Sequence, residues 1–323
     1  MDVLLIGAGA YARAHAQAIK DSPGLRLAAV VDRDAQRATE LAAELGVAAY
    51  DDVEEACAQV RPEIATVVVP TAAHVEVALR ALRSDVHVLL EKPLARSAEE
   101  CEVLEREALS RGLLVDVVSQ RRFQAGGAAV KDALSAGLLG RIGTAHLDTS
   151  VWRDDSYFTD AEWRGRAAAG GGNLLNHGWH ALDLLVWFLG APDDVRGYRR
   201  TSRVPGVDVE ESLAAALRFP GGCLGVLEAS LVARGGPRMR LTLTGDRGTA
   251  WVEDASAGIT YVDDDGVLHE QRWRSVDADA ALREQYLAFA HAISAGDPLR
   301  VGLAGALHTM RTAELVLAAV TEG

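Results

Sequence analysis

Short apolar runs alternate with longer stretches in which apolar positions recur at helical spacing. Val3 to Ile6, Leu27 to Val31, Ile64 to Val69, Val86 to Leu90 and Leu114 to Val118 are continuous and largely β-branched, the pattern of strands covered on both faces. Between them, Tyr11 to Lys20, Ala35 to Leu45, His74 to Leu82 and Ala98 to Ser110 carry the helical period. That alternation predicts a doubly wound parallel sheet over residues 1–119. From residue 120 the pattern changes. A helix is expected near Ala128 to Ser135, a long strand over Gly143 to Arg153, and a single helix over Asn173 to Leu189, capped by Asn173. Successive strands over Val195 to Arg274 are separated by turn signals beginning at Phe219, Arg234, Gly245 and Asp263, and helices near Ala280 to Ala295 and Leu303 to Val320 follow. Residues 120–323 therefore read as a second, α+β domain on an open, mostly antiparallel sheet.

Charge changes this picture by exclusion. The formal charge of −13, with no basic block to offset it, repels phosphate backbones, so nucleic acid is not an expected partner. Cys57, Cys101 and Cys223 are odd in number and widely spaced, which suggests neither a disulfide frame nor a thiolate metal site. The run after Met1 is too short for a secretory segment, and no later run approaches a membrane span, so a cytoplasmic protein is expected.

Three groups of residues carry candidate chemistry. Gly7-Ala8-Gly9-Ala10-Tyr11-Ala12 lies between the first strand and first helix, and Asp32 closes the second strand. In that context Gly7 permits a tight turn, Gly9 exposes backbone to a pyrophosphate, Ala12 lets the helix approach the sheet, and Asp32 can accept from ribose hydroxyls. A 2′-phosphate would meet the charge of Asp32, which favours NAD, while adjacent Arg33 keeps NADP open. The second group lies past strand ends: Pro70, Thr71 and His74, then Glu91, Lys92 and Pro93. Such positions line the ligand crevice of an open parallel sheet. Lys92 can hydrogen-bond a hydroxyl there, and it equally fits a surface ion pair with Glu91. The third is the row Asn176, His180 and Asp183 at helical spacing after Gly170-Gly171-Gly172. His180 suits proton exchange near neutral pH, and it also fits a structural histidine. His177, His180 and Asp183 can be drawn as a metal face, but further ligand spacing is lacking and no metal is expected.

Taken in order, Gly7-x-Gly9-x-x-Ala12-x-x-His15, Pro70-Thr71-x-x-His74, Glu91-Lys92-Pro93, Gln120-x-Arg122-Phe123 and Asn176-x-Gly178-x-His180-x-x-Asp183 resemble the Gfo/Idh/MocA family, the glucose-fructose oxidoreductase and inositol dehydrogenase group. The motifs cover the chain to about residue 190, and beyond that the likeness is one of strand pattern. The resemblance implies an NAD(P)-dependent dehydrogenase or reductase of a sugar, sugar derivative or cyclitol, with Lys92 and His180 beside the reacting hydroxyl. It also implies a cis Lys92–Pro93 bond and a homodimer or homotetramer formed through the C-terminal sheet. Arg122, Trp152, Arg153, Tyr157, Asn176 and Asp183 are assigned to substrate, with Trp152 and Tyr157 able to stack on a sugar ring or to belong to the core. Arg153, Arg164 and Arg166 could meet a phosphate or carboxylate, or pair with the many acidic side chains. Asn176 stands where the inositol dehydrogenase type of site has an aspartate. An amide cannot polarise His180 by charge, so it bears on the substrate subclass. Two alternatives share the cofactor: a glycoside hydrolase working through transient oxidation, and a non-catalytic NAD(P)-binding sensor.

Overall fold

A computed structural model describes residues 1–235, 238–274 and 278–323. The chain divides into two compact units, one of Met1–Gln120 with Ala278–Leu307, the other of Arg121–Asp277 with His308–Gly323.

In the first unit β1 (Asp2–Ile6), α1 (Ala12–Lys20), β2 (Arg26–Val31), α2 (Ala35–Leu45), β3 (Ala48–Tyr50), α3 (Val53–Val60), β4 (Ile64–Val67), α4 (His74–Arg83), β5 (His87–Leu90), α5 (Ala98–Arg111) and β6 (Val115–Val117) follow in order. All six strands are parallel, in the order β3-β2-β1-β4-β5-β6. The order reverses beside β1, which creates the crevice where ligands bind in such sheets. The expected strands and helices are present, and β3 and α3 are additional. β3 is only three residues long and Ala48 and Ala49 are exposed, so it carries no buried run to announce it. The start of α3 is set by Asp52, whose carboxylate accepts from the Glu55 amide at 2.9 Å.

The sequence division places everything after residue 119 in the second domain, yet α10 (Ala278–Ala295) belongs to the first unit. Leu282, Tyr286 and Phe289 fall on one helical face and are buried with Val3, Ile19, Ile64, Leu89 and Val118. Polar groups tie the same helix to β6: Gln285 donates to Asp116 (2.9 Å) and Val117 (2.8 Å), and accepts from the Ser119 amide at 3.0 Å.

The second unit contains α6 (Ala125–Ser135), β7 (Ile142–Ser150), α7 (Ser156–Thr159), α8 (Asn173–Asn176), α9 (Trp179–Leu189), β8 (Asp194–Thr201), β9 (Glu210–Arg218), β10 (Leu224–Ser230), β11 (Arg238–Gly245), β12 (Gly248–Glu253), β13 (Ser256–Val262) and β14 (Leu268–Arg274). After α11 (Gly302–Ala319), β15 (Val320–Glu322) completes a nine-stranded sheet, β14-β13-β12-β11-β7-β10-β9-β8-β15. Its pairs are antiparallel except β7 with β10 and β8 with β15. The turns at Phe219, Gly245 and Asp263 join strands as expected. The turn expected from Arg234 includes residues 236–237, outside the described residues. α6 and α9 pack on one face of the sheet.

The helix expected over Asn173 to Leu189 is broken in two. At Gly178 a Cβ would lie 2.9 Å from the Leu174 carbonyl oxygen and 3.1 Å from its Cα, so the chain folds back on itself at a contact that glycine alone allows. Asn173 does not cap α8. That position is Gly172, and the Asn173 amide group donates to the Glu211 carbonyl at 3.2 Å.

Candidate active site

In the first unit the turn after β1 is forced by Gly7, at φ +111°, where a Cβ would sit 2.1 Å from the Val68 carbonyl oxygen. A Cβ on Gly9, by contrast, would meet nothing within 4 Å, so bare backbone faces open space there. No side chain caps α1, which leaves first-turn amides for an anion, and buried Ala12 lets the helix close on the sheet. Asp32 is held rigidly: one carboxylate oxygen accepts from the Ala8 amide at 2.8 Å, the other from the Asp34 amide at 2.9 Å. Arg33 and Tyr11 are exposed. A cleft of about 330 Å³ is lined by Ala8, Gly9 and Ala10 together with Arg13 and Arg37. These features fit a dinucleotide, with its pyrophosphate at the turn and its adenosine ribose at Asp32.

Past β4, Pro70 is exposed and Thr71 opens a single 3-10 turn, its neighbour Ala73 donating back to the Pro70 carbonyl at 2.8 Å. His74 is not available to the cofactor as expected. It is buried, with one ring nitrogen 2.9 Å from the Pro93 carbonyl oxygen and the other 2.8 Å from that of Val69, so it braces the two strand ends instead. Burial pushes its pKa down, against the pull of those carbonyls and of Glu91. The Lys92–Pro93 peptide is cis, as the resemblance implies.

Glu91 anchors Lys92 from behind. Its carboxylate accepts from the Lys92 amide at 2.8 Å and lies 2.9 Å from Nε2 of His15, which is 1% exposed. A carboxylate only accepts, so Nε2 is the donor. The other ring nitrogen of His15 is 2.8 Å from the Tyr286 hydroxyl, which donates to Thr66 at 3.0 Å. Burial alone would raise the Glu91 pKa. The hydrogen bond and charge of His15, with the charge and amide of Lys92, outweigh it and bring the group to about 2. Desolvation and the Glu91 charge push Tyr286 upward, so its hydroxyl stays protonated. The sequence motif contains His15 but gives it no partner. Tyr286 was missed because it lies 271 residues away, and its only signal was the apolar face of α10.

In the second unit a cavity of about 180 Å³ is lined by His177, His180, Arg121, Arg153 and Arg238, among others. The break at Gly178 turns His180 onto this wall as the second residue of α9. Arg122 and Asp183, expected at the substrate, lie elsewhere. They are 3% and 1% exposed and form a two-pronged ion pair, Nε to Oδ2 at 2.8 Å and Nη2 to Oδ1 at 2.6 Å. Thr309 donates to the same carboxylate at 2.9 Å. A pair so desolvated would lose more than it gained by opening to a ligand, so its role is to fix α9.

The aromatic candidates are also engaged within the protein. Arg234 covers the Trp152 ring at 4.5 Å from its centroid, while Tyr157 carries Arg164 at 4.8 Å and Arg153 at 5.8 Å and meets His177 at 5.2 Å. Neither Trp152 nor Tyr157 lines the cavity, so the expected sugar stacking gives way to cation–π packing by arginine. Asn176 is half-buried and donates to the Gly172 carbonyl at 2.8 Å. Arg121, Arg238 and His177 are wall residues that the substrate assignment did not include. Two of them come from elements that meet at the cavity only through the sheet, which spacing does not reveal. Among the described residues no group of three His, Cys, Asp or Glu side chains could hold a metal ion.

Residues 1–119 match a model for an oxidoreductase family with an NAD-binding Rossmann fold, and residues 128–251 match that of the GFO/IDH/MocA C-terminal domain. Inositol 2-dehydrogenase of Rubrobacter xylanophilus is 28% identical over 263 residues, which are 79% of this chain and 72% of that protein. D-glucoside 3-dehydrogenase of Escherichia coli is 27% identical over 324 residues, covering 93% and 89%. The solved UDP-N-acetylglucosamine 3-dehydrogenase of Acidithiobacillus ferrooxidans superposes with a TM-score of 0.81 at 26% identity, covering 99% of this chain and 97% of that one.

Proposed function

The chain belongs to the Gfo/Idh/MocA family of NAD-binding oxidoreductases, and from that premise we propose that it exchanges hydride between nicotinamide and a secondary alcohol or ketone of a sugar, sugar derivative or cyclitol. The observation that carries the reading is His180 on the wall of a small cavity, in a chain whose other unit ends its strands on the Gly7–Ala12 turn and on Glu91–Lys92.

Bound nicotinamide supplies the carbon that accepts or releases hydride. In the oxidation direction His180 takes the proton from the substrate hydroxyl, and Lys92 donates a hydrogen bond to the oxygen as its negative charge develops. Glu91, fixed by His15, orients the backbone of Lys92. Asn176 holds a second substrate hydroxyl, and Arg122 with Asp183 steadies the helix that carries His180. Asp32 selects NAD over NADP by charge.

Two further features complete the proposal. The chain assembles as a homodimer or homotetramer through the sheet face opposite α6 and α9. There Tyr198, Ala214, Ala216, Val226 and Leu224 are exposed and adjacent in register. A second copy is the occupant that buries the same apolar surface on both partners at once. It works in the cytoplasm, a setting that suits three buried cysteines that form no disulfide. No described helix is long and apolar enough to cross a membrane.

The test is NADH formation across cyclitols, free sugars, sugar phosphates and nucleotide sugars, with wild type beside Lys92→Ala and His180→Ala. Turnover on one class, lowered at least about 100-fold by each substitution while NAD still binds, is the expected result. Undiminished turnover in either variant removes that residue from the chemistry. Release of free sugar without net NADH replaces the dehydrogenase by a hydrolase.

A further inference from the structure

The cavity bearing His180 has an unbalanced wall. Three guanidinium groups line it, those of Arg121, Arg153 and Arg238, in a chain whose formal charge is −13. Two of them are matched. Arg121 donates to Asp254 at 2.7 Å, and that carboxylate also accepts from the Met239 amide at 2.8 Å. Arg238 is ion-paired with Asp148, whose other oxygen accepts from Ser150 at 2.7 Å. Both carboxylates are thus held in place by a second donor and are not free to swing toward Arg153.

Arg153 is the remaining cation. It donates to the Trp152 carbonyl at 3.1 Å and lies over the Tyr157 ring at 5.8 Å, and no Asp or Glu pairs with it among the described residues. The neighbouring Asp154 is turned to Ser156, which donates to it at 2.5 Å. Tyr157 supports this guanidinium, which is part of the cavity lining. A planar fork of donors supported in this way recognises a planar or tetrahedral oxyanion.

We propose that this wall is an anion subsite, and that the substrate is a sugar carrying a carboxylate or phosphate, held by Arg153 with its charge further stabilised by Arg121 and Arg238. The proposal rests on the dehydrogenase reading for its substrate class, but the binding it describes does not require turnover. A neutral sugar would leave the exposed Arg153 to water, without a counter-charge. An anionic one supplies it and gains a charge-assisted hydrogen bond.

The experiment compares D-glucose, D-glucuronate and D-glucose 6-phosphate by calorimetric titration of the full chain in the presence of NADH, and by NAD reduction. Wild type is set beside Arg153→Gln and Arg153→Lys. One of the two anionic sugars is expected to bind at least about 10-fold more tightly than glucose, since a charge-assisted bond is worth one to two powers of ten. Arg153→Gln should abolish that preference, and Arg153→Lys should restore part of it. Which acid wins tells carboxylate from phosphate. Binding lost in Arg153→Gln without any NADH formation keeps the subsite and defeats the dehydrogenase reading. Equal or tighter binding of glucose, no binding of either acid, or a preference that survives Arg153→Gln overturns the subsite and leaves dehydrogenation to its own test.

Discussion

Substituting His15 by alanine removes the hydrogen bond to Glu91 and the contact with Tyr286, while Glu91 stays only 15% exposed. The Glu91 carboxyl is held at about 2 against an ordinary 4.5, a depression worth about 3 kcal/mol at one unit per 1.4 kcal/mol. A carboxylate with a lowered folded-state pKa contributes stability above its unfolded value, and that contribution is lost as pH falls from about 4.5 through about 2. His15 provides the largest of the opposing effects, so without it the carboxyl rises from its depressed value. His15→Ala should therefore cost about 2–4 kcal/mol at pH 7, where the buried charge is left with the Lys92 amide and charge alone. Urea unfolding followed by tryptophan fluorescence at pH 7, 5 and 4 measures both parts. The variant should lose less of its remaining stability than wild type as pH drops below about 4.5, because less is left to lose. Glu91→Gln, which removes the charge and keeps the shape, should show the same flattened acid limb. A loss under about 1 kcal/mol in His15→Ala, or an acid limb parallel to that of wild type, would refute the reasoning.

Three further outcomes can be checked alongside. Asp32→Ala should lower kcat/KM for NAD about 10-fold or more while raising that for NADP, because two amide contacts and a repulsive charge leave together; steady-state kinetics with both cofactors decides it. Arg122→Leu should cost about 3–5 kcal/mol in denaturant unfolding by stranding Asp183 in the core, whereas Arg122→Leu with Asp183→Leu should recover most of it. Val226→Asp, on the exposed sheet face, should shift the molar mass seen by light scattering toward one chain without moving the melting temperature of the monomer; an unchanged mass places the interface elsewhere.

Both layers of architecture were legible because their signals are local. Val3 to Ile6, Val86 to Leu90 and the other buried runs announce strands by being apolar on both faces, and the glycine turn after β1 is read from the short spacing of Gly7, Gly9 and Ala12, although the close approach that Gly7 permits is to distant Val68. What escaped was set at a distance. The break at Gly178 is the exception, made by a contact with Leu174 four residues back and hidden because the apolar pattern on either side is continuous. Arg122 and Asp183 look like site residues in sequence, since charged groups in a motif suggest exposure. Their pairing in the core emerges only when α9 meets the segment before α6. The side chains around His180 behave similarly. Arg121, Arg153 and Arg238 are spread over more than a hundred positions, and only the sheet gathers them.

The first unit is built from two separated stretches of chain, with 157 residues of the other unit between them. During synthesis at about 5–20 residues per second, the 157 intervening residues take roughly 8–30 seconds, so Val3, Ile19 and Val118 wait at least that long before Leu282, Tyr286 and Phe289 emerge to cover them. The nascent cofactor unit therefore presents an uncovered apolar surface for the whole time the second unit is being made. A chain cut after residue 120 keeps that surface permanently, together with an Asp116 that has lost Gln285 and a His15 that has lost Tyr286. The last helices are for that reason a folding requirement of the first strands, and any dissection of this protein into halves must carry residues 278–307 along with the N-terminus.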